Sequence, residues 1–199
     1  MIVSALLAAA VVAGQAAPPP NPQAGVRLRT AAGDIVLQLD QTRAPVTTCN
    51  FLRYVAAGRY TDAVFFRTVV SGTDRNPSPI DVVQAATVAG DDDPGFGPIA
   101  LERTRDTGLT HASGVISMAR DGPDTATSSF FIVVEDSPNL DFGGTRARDG
   151  QGFAAFGRVF SGMDVVRAIQ AGTATDERLT SPVAIREAVI IHTPQECRS

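Results

Sequence analysis

From residue 26 onward, apolar and polar positions alternate in short runs separated by Gly, Pro and Asp. In 35–39 (IVLQL), Ile35, Leu37 and Leu39 fall on one face, the period of two that marks a half-buried strand. With 26–29 (VRLR), this segment predicts two strands around Ala32-Gly33-Asp34. Further strands are predicted at 64–69, 80–86, 114–119, 129–134, 153–159 and 183–191. Helical spacing shows in two places. Thr48, Phe51, Leu52 and Val55 repeat behind Pro45, which opens a helix where its missing N–H costs nothing, and Gly58 stands at the C-terminal cap. Met163, Val166 and Ile169 predict a second helix, closing near Gly172. Many short strands and two helices predict an antiparallel sandwich or closed barrel. Asp91-Asp92-Asp93 lacks calcium-loop spacing and reads as solvated surface.

The N-terminal pattern is different. Residues 1–13 (MIVSALLAAAVVA) are an uncharged apolar run, shorter than the roughly 20 residues a spanning helix needs. Gly14 and Ala16 supply small residues at −3 and −1 of a signal-peptidase site, although the first residues lack the usual Lys or Arg. The expected division is a signal peptide at 1–16, a Pro-rich linker at 17–25 carrying PPPNP, a folded domain at 26–193 and a tail at 194–199. The expected location is outside the cytoplasm, in a periplasm, with no stable membrane insertion after cleavage. Cys49 and Cys197 then meet an oxidising compartment, where a bridge and two free thiols are equally open readings.

Composition narrows the chemistry. The chain has 199 residues, enough for one domain with a sizeable core, and a net charge of −4. All 17 basic residues are Arg, so Schiff-base and P-loop lysine chemistry are excluded. His111, His192 and the two Cys have no metal-ligand spacing, so no metal or other cofactor is expected. Without a basic run, no nucleic acid is expected as a partner. Ser113 and Ser129 lack a partnering base, which argues against a serine hydrolase.

Four stretches then carry a likeness. They are 44–51 (APVTTCNF), 64–69 (VFFRTV), 114–120 (GVISMAR) continuing through 127–133 (TSSFFIV), and 156–159 (FGRV) followed by 162–166 (GMDVV). In this order they resemble the cyclophilins, a family of peptidyl-prolyl cis-trans isomerases, and the likeness runs from about Val26 to Ile191. The resemblance implies a closed eight-stranded antiparallel barrel with a helix over each open end. It also implies catalysis of X-Pro rotation in unfolded or extended Pro-containing polypeptides, by a protein expected to be a monomer.

Carried over residue by residue, the resemblance puts Arg67 on the catalytic arginine and Gln84 on the glutamine that helps hold it. Phe131 and Leu140 fall on the walls of the proline pocket, Val82 on a further apolar wall position, and Phe153 on the far rim. Ala119 and Arg120 fall on the backbone segment that pairs with a bound peptide. The sequence departs from the pattern at three further positions. Phe66 replaces a common His, Ser129 replaces a Gln, and Asp81 stands where a Phe is usual. Asp81 is expected to border the site and pair with Arg67, unless the register slips by one residue and Ile80 fills the space. Two long loops, 71–79 (SGTDRNPSP) and 141–152 (DFGGTRARDGQG), should border the site and narrow substrate choice. If Asp81 and Ser129 weaken catalysis, the alternative is a barrel that only binds Pro-containing segments.

Overall fold

The computed structural model describes residues 23–87, 95–192 and 197. The signal peptide, most of the linker, the acidic loop and all of the tail but Cys197 lie outside them. Strands β1 (Ala24–Thr30) and β2 (Gly33–Leu39) form a hairpin, followed by helix α1 (Pro45–Ala56) and strands β3 (Ala63–Val69) and β4 (Val82–Ala86). After the short helix α2 (Thr104–Thr107) come β5 (Val115–Met118), β6 (Phe130–Val133) and β7 (Ala154–Ser161). Helix α3 (Met163–Gln170), the two-residue β8 (Ala174–Thr175) and β9 (Arg178–His192) complete the order. The strands run β1-β2-β7-β5-β6-β4-β3-β9, and β9 returns to pair with β1. Every pairing is antiparallel, so the expected eight-stranded barrel is closed, with β8 as a small hairpin partner of β9.

Closure removes sheet edges and encloses an apolar interior. Val26, Leu28, Ile35, Leu37, Phe65, Val83, Ile116, Phe130, Ile132 and Phe156 fill it. A helix outside a closed wall reaches the interior only at an open end. Phe51, Leu52 and Val55 of α1 and Val166 and Ile169 of α3 do so. Phe51 meets Tyr60, Phe130 and Phe156 with ring centroids 5.0–5.3 Å apart.

The helix ends have identifiable partners. No side chain of its own caps α1; the carboxylate of Glu102 accepts from the N–H groups of Val46 and Thr47 at 3.0 and 2.8 Å. Gly162 precedes α3 at φ 96°, and a Cβ there would lie 2.4 Å from the carbonyl oxygen of Asp34. The cysteines, left open by the sequence, are joined. Cys49 on α1 bonds Cys197, with Cα atoms 5.4 Å apart, and Gln41 Nε2 donates to both sulfurs.

Candidate active site

A second apolar cluster lies on the outer face of the same wall. Val69, Ile80, Val82, Phe131, Val133 and Leu140 form it, with Ala119 and Phe153 against it. Strands β4 and β6 are therefore buried on both faces: Val83, Ala85, Phe130 and Ile132 point inward, and Val82, Phe131 and Val133 point outward. This explains why 130–134 (FFIVV) is a continuous apolar run without alternation.

Arg67 reaches the outer face through a bulge. Ala63 and Phe65 point into the barrel, so strict alternation would send Arg67 inside as well. Both ladders of β3 shift register between Phe65 and Arg67, and the extra residue at Phe66 reverses the parity. Beyond it, Arg67 stands opposite Gln84, Gln84 opposite Phe131, and Phe131 opposite Ser117. Directly paired residues share a face, so these four form one transverse row.

Hydrogen bonds fix that row. Arg67 Nη1 donates to Gln84 Oε1 at 2.8 Å, and Gln84 Nε2 to Ser129 Oγ at 3.4 Å, while the Ser129 hydroxyl donates to the carbonyl of Ala85. On its other side the guanidinium meets Glu177, Nε at 2.9 Å and Nη2 at 2.6 Å from the same carboxylate oxygen. At the far end His111 stacks on Phe131, with ring centroids 6.0 Å apart, and bridges Ser117 Oγ (2.9 Å) and Asp141 Oδ1 (2.7 Å). This is the connectivity of a serine-hydrolase triad, but Ser117 is fully buried, so no substrate reaches it. It fixes the floor under Phe131.

Ten of the predicted site residues line one groove of about 550 Å³: Phe66, Arg67, Val82, Gln84, Ala119, Arg120, Ser129, Phe131, Leu140 and Phe153. Asp81 does not. Its carboxylate accepts from Ser71 N (3.1 Å) and from Gln170 Nε2 on α3 (3.3 Å), away from Arg67. The long loop before β4 shifts the chain by one residue, and Ile80 enters the apolar cluster instead. Glu177, which the sequence reading missed, takes the pairing expected of Asp81.

The side chain of Arg120 is a strut rather than an exposed peptide contact. It is 2% exposed, pairs with both oxygens of Asp149 and donates to the carbonyl of Gly152. Hydrogen bonds from Arg120 hold the Asp149 carboxyl at about 2, below its ordinary 3.8. The two long loops are stapled together at the groove by the buried pair Arg146–Asp74 and by Ser78 and Thr145. From beneath, Asn50 and Tyr60 hold the carbonyls of Thr127 and Ser128, each at 2.6 Å.

The model of the cyclophilin-type peptidyl-prolyl cis-trans isomerases matches residues 25–190. The chain belongs to the cyclophilins. A peptidyl-prolyl cis-trans isomerase of Streptomyces antibioticus is 35% identical over 170 residues, covering 83% of this cyclophilin and 94% of the relative. Isomerase B of Escherichia coli is 34% identical over 171 residues, covering 83% and 95%. A crystal structure of a Cryptosporidium parvum cyclophilin-type isomerase superposes with a TM-score of 0.70 at 23% identity, over 86% of this chain and 99% of that one. A second structure of that protein, obtained in the presence of the dipeptide Ala-Pro, gives 0.69 at 22%. These two establish the likeness of fold. The cyclophilin barrel thus carries its outward row of Arg, Gln and Phe on a wall whose inner face is purely apolar.

Proposed function

We propose that this cyclophilin rotates X-Pro bonds in extended segments of exported polypeptides, with Arg67 as the catalytic residue and the second apolar cluster as the proline pocket. The reaction twists a partial double bond through a barrier of about 18–20 kcal/mol and transfers no proton. As the bond twists, the prolyl nitrogen regains a lone pair. A guanidinium fixed beside it donates a hydrogen bond that neither planar form accepts, so the twisted state is favoured selectively. Ile80, Val82, Phe131, Leu140 and Phe153 offer the ring an apolar slot, while Ala119 and Ser129 border the path of the peptide backbone. The observation that carries this reading is the fixed guanidinium at the edge of that slot, held on one side by Gln84 and on the other by Glu177.

Export is supported by the apolar run at 1–13 and by the Cys49–Cys197 bridge, a bond that persists in oxidising compartments. The mass of the secreted protein tests export and should correspond to cleavage after Ala16. A cytoplasmic protein with an intact N-terminus would end the export reading.

Exchange spectroscopy on an Ala-Pro peptide tests the catalytic reading. The parent should accelerate cis-trans exchange, and Arg67→Ala should lower kcat/KM by roughly 10²–10³-fold, the usual effect of losing a transition-state donor. An Arg67→Ala variant as fast as the parent would overturn the assignment. Peptide binding without acceleration by either protein would favour the binding module instead.

A further inference from the structure

We propose that Glu177 is a positioning residue, which fixes the plane of the Arg67 guanidinium for prolyl rotation; the inference rests on the assignment of Arg67 above. Glu177 lies in the two-residue turn between β8 and β9, 110 residues from the arginine. Both turn residues have left-handed backbones, Asp176 at φ 47° and Glu177 at φ 66°. Such a conformation is unusual for a residue of this size, whereas glycine adopts it freely. The turn is also pinned. Thr68 N donates to the carbonyl of Glu177 at 2.8 Å, and Thr175 pairs with Arg178. A glutamate thus occupies a position that backbone energetics would assign to glycine, and its side chain is where the departure is used.

That side chain meets Nε and Nη2 of Arg67, and Gln84 meets Nη1. A guanidinium has five N–H donors in one plane. Held at Nε, Nη2 and Nη1, it cannot swing about its last torsions, and one N–H on each terminal nitrogen is left for an acceptor in the groove. The pair is half-exposed, with side chains 31% and 34% accessible, so solvent screens the charge that Glu177 offsets. Orientation is the larger effect, because a transition-state donor acts only when aimed before the reaction begins.

The test measures kcat and KM for an Ala-Pro peptide, with thermal melting, on the full chain and three variants. Glu177→Gly relieves the backbone and removes the carboxylate. It should melt at or above the parent temperature, yet lose roughly ten- to hundredfold in kcat with KM unchanged. Glu177→Gln retains an acceptor oxygen at the same reach and should recover most of that loss. Parental or higher kcat in Glu177→Gly overturns the proposal, and so does a Glu177→Gln as slow as the glycine variant, which would assign the effect to charge. Arg67→Ala separates the two readings. If it is as fast as the parent, the assignment of Arg67 fails; if it is slow while Glu177→Gly is not, only the role of Glu177 fails.

Discussion

The two faces of one barrel wall follow different rules. Inside, Phe65, Phe130, Ile132 and Phe156 pack against the two helices without a charged group among them. Outside, a few ångströms away through the same strands, the apolar cluster of Phe131, Val82 and Leu140 borders Arg67, Arg120 and Arg146, each paired with a carboxylate. The inner face only has to exclude water. The outer face must keep charged donors aimed beside an apolar slot, so its arginines are braced by partners from distant loops. With the outer cluster proposed as the proline pocket, stability and recognition are assigned to alternate residues of β4 and β6. Neighbours in sequence should respond to substitution in opposite ways.

The largest contrast should come from inside. Phe130→Ala leaves a cavity among the rings of Phe51, Tyr60 and Phe65 and should lower unfolding free energy by about 3–5 kcal/mol in urea titrations. KM should hardly change at temperatures where the variant remains folded. Next is the bridge that ties Cys197 to α1 across 148 residues of chain. Cys49→Ser with Cys197→Ser should cost about 2–4 kcal/mol in the same assay and leave kcat/KM intact, because the bond lies on the helix side of the wall. From the groove, Phe153→Ala should raise KM roughly tenfold, the loss of about 1.4 kcal/mol of contact with a proline ring. Its melting temperature should stay near the parent's. A large fall in stability there, or an unchanged KM, would erase the distinction between the faces.

The smallest effect is acid sensitivity in the Arg120–Asp149 strut. The folded carboxyl titrates at about 2 rather than 3.8, so its contribution is complete above the higher value and is lost as pH falls toward the lower one. The stability difference between the parent and Asp149→Asn should accordingly shrink over that interval. A difference that is constant with pH would mean that the strut is not ionic.

The strands were legible in sequence because alternation and turn residues are local signals. The catalytic-site likeness was legible because Arg67, Gln84, Phe131 and Leu140 sit in recognisable stretches. Long-range choices were not. Glu177 reaches Arg67 across 110 residues, and neither its turn nor its charge distinguishes it from other acidic surface residues. Asp81 and Ile80 exchanged places because the nine residues of 71–79 leave the register of β4 undetermined until Asp74 and Asp81 find their loop partners. The beginning of β9 was missed because Pro182 interrupts the pattern. In the fold, residues 179–182 lie between two registered pairs, Phe65 with Val183 and Arg67 with Arg178, so Pro182 falls where the ladder is already broken. The helix α2 is four residues long, too short to display a period.

The pairing of β9 with both β1 and β3 has a consequence for biogenesis. Synthesis runs from the amino end, so residues 24–161 leave the ribosome while the wall still has an open seam. The turn that carries Glu177 and the strand that seats Arg178 opposite Arg67 emerge after them. A chain that stops before this turn leaves Arg67 without its Glu177 contact. Closure of the barrel therefore waits for β9, and until that strand docks Arg67 has Gln84 beside it but not Glu177.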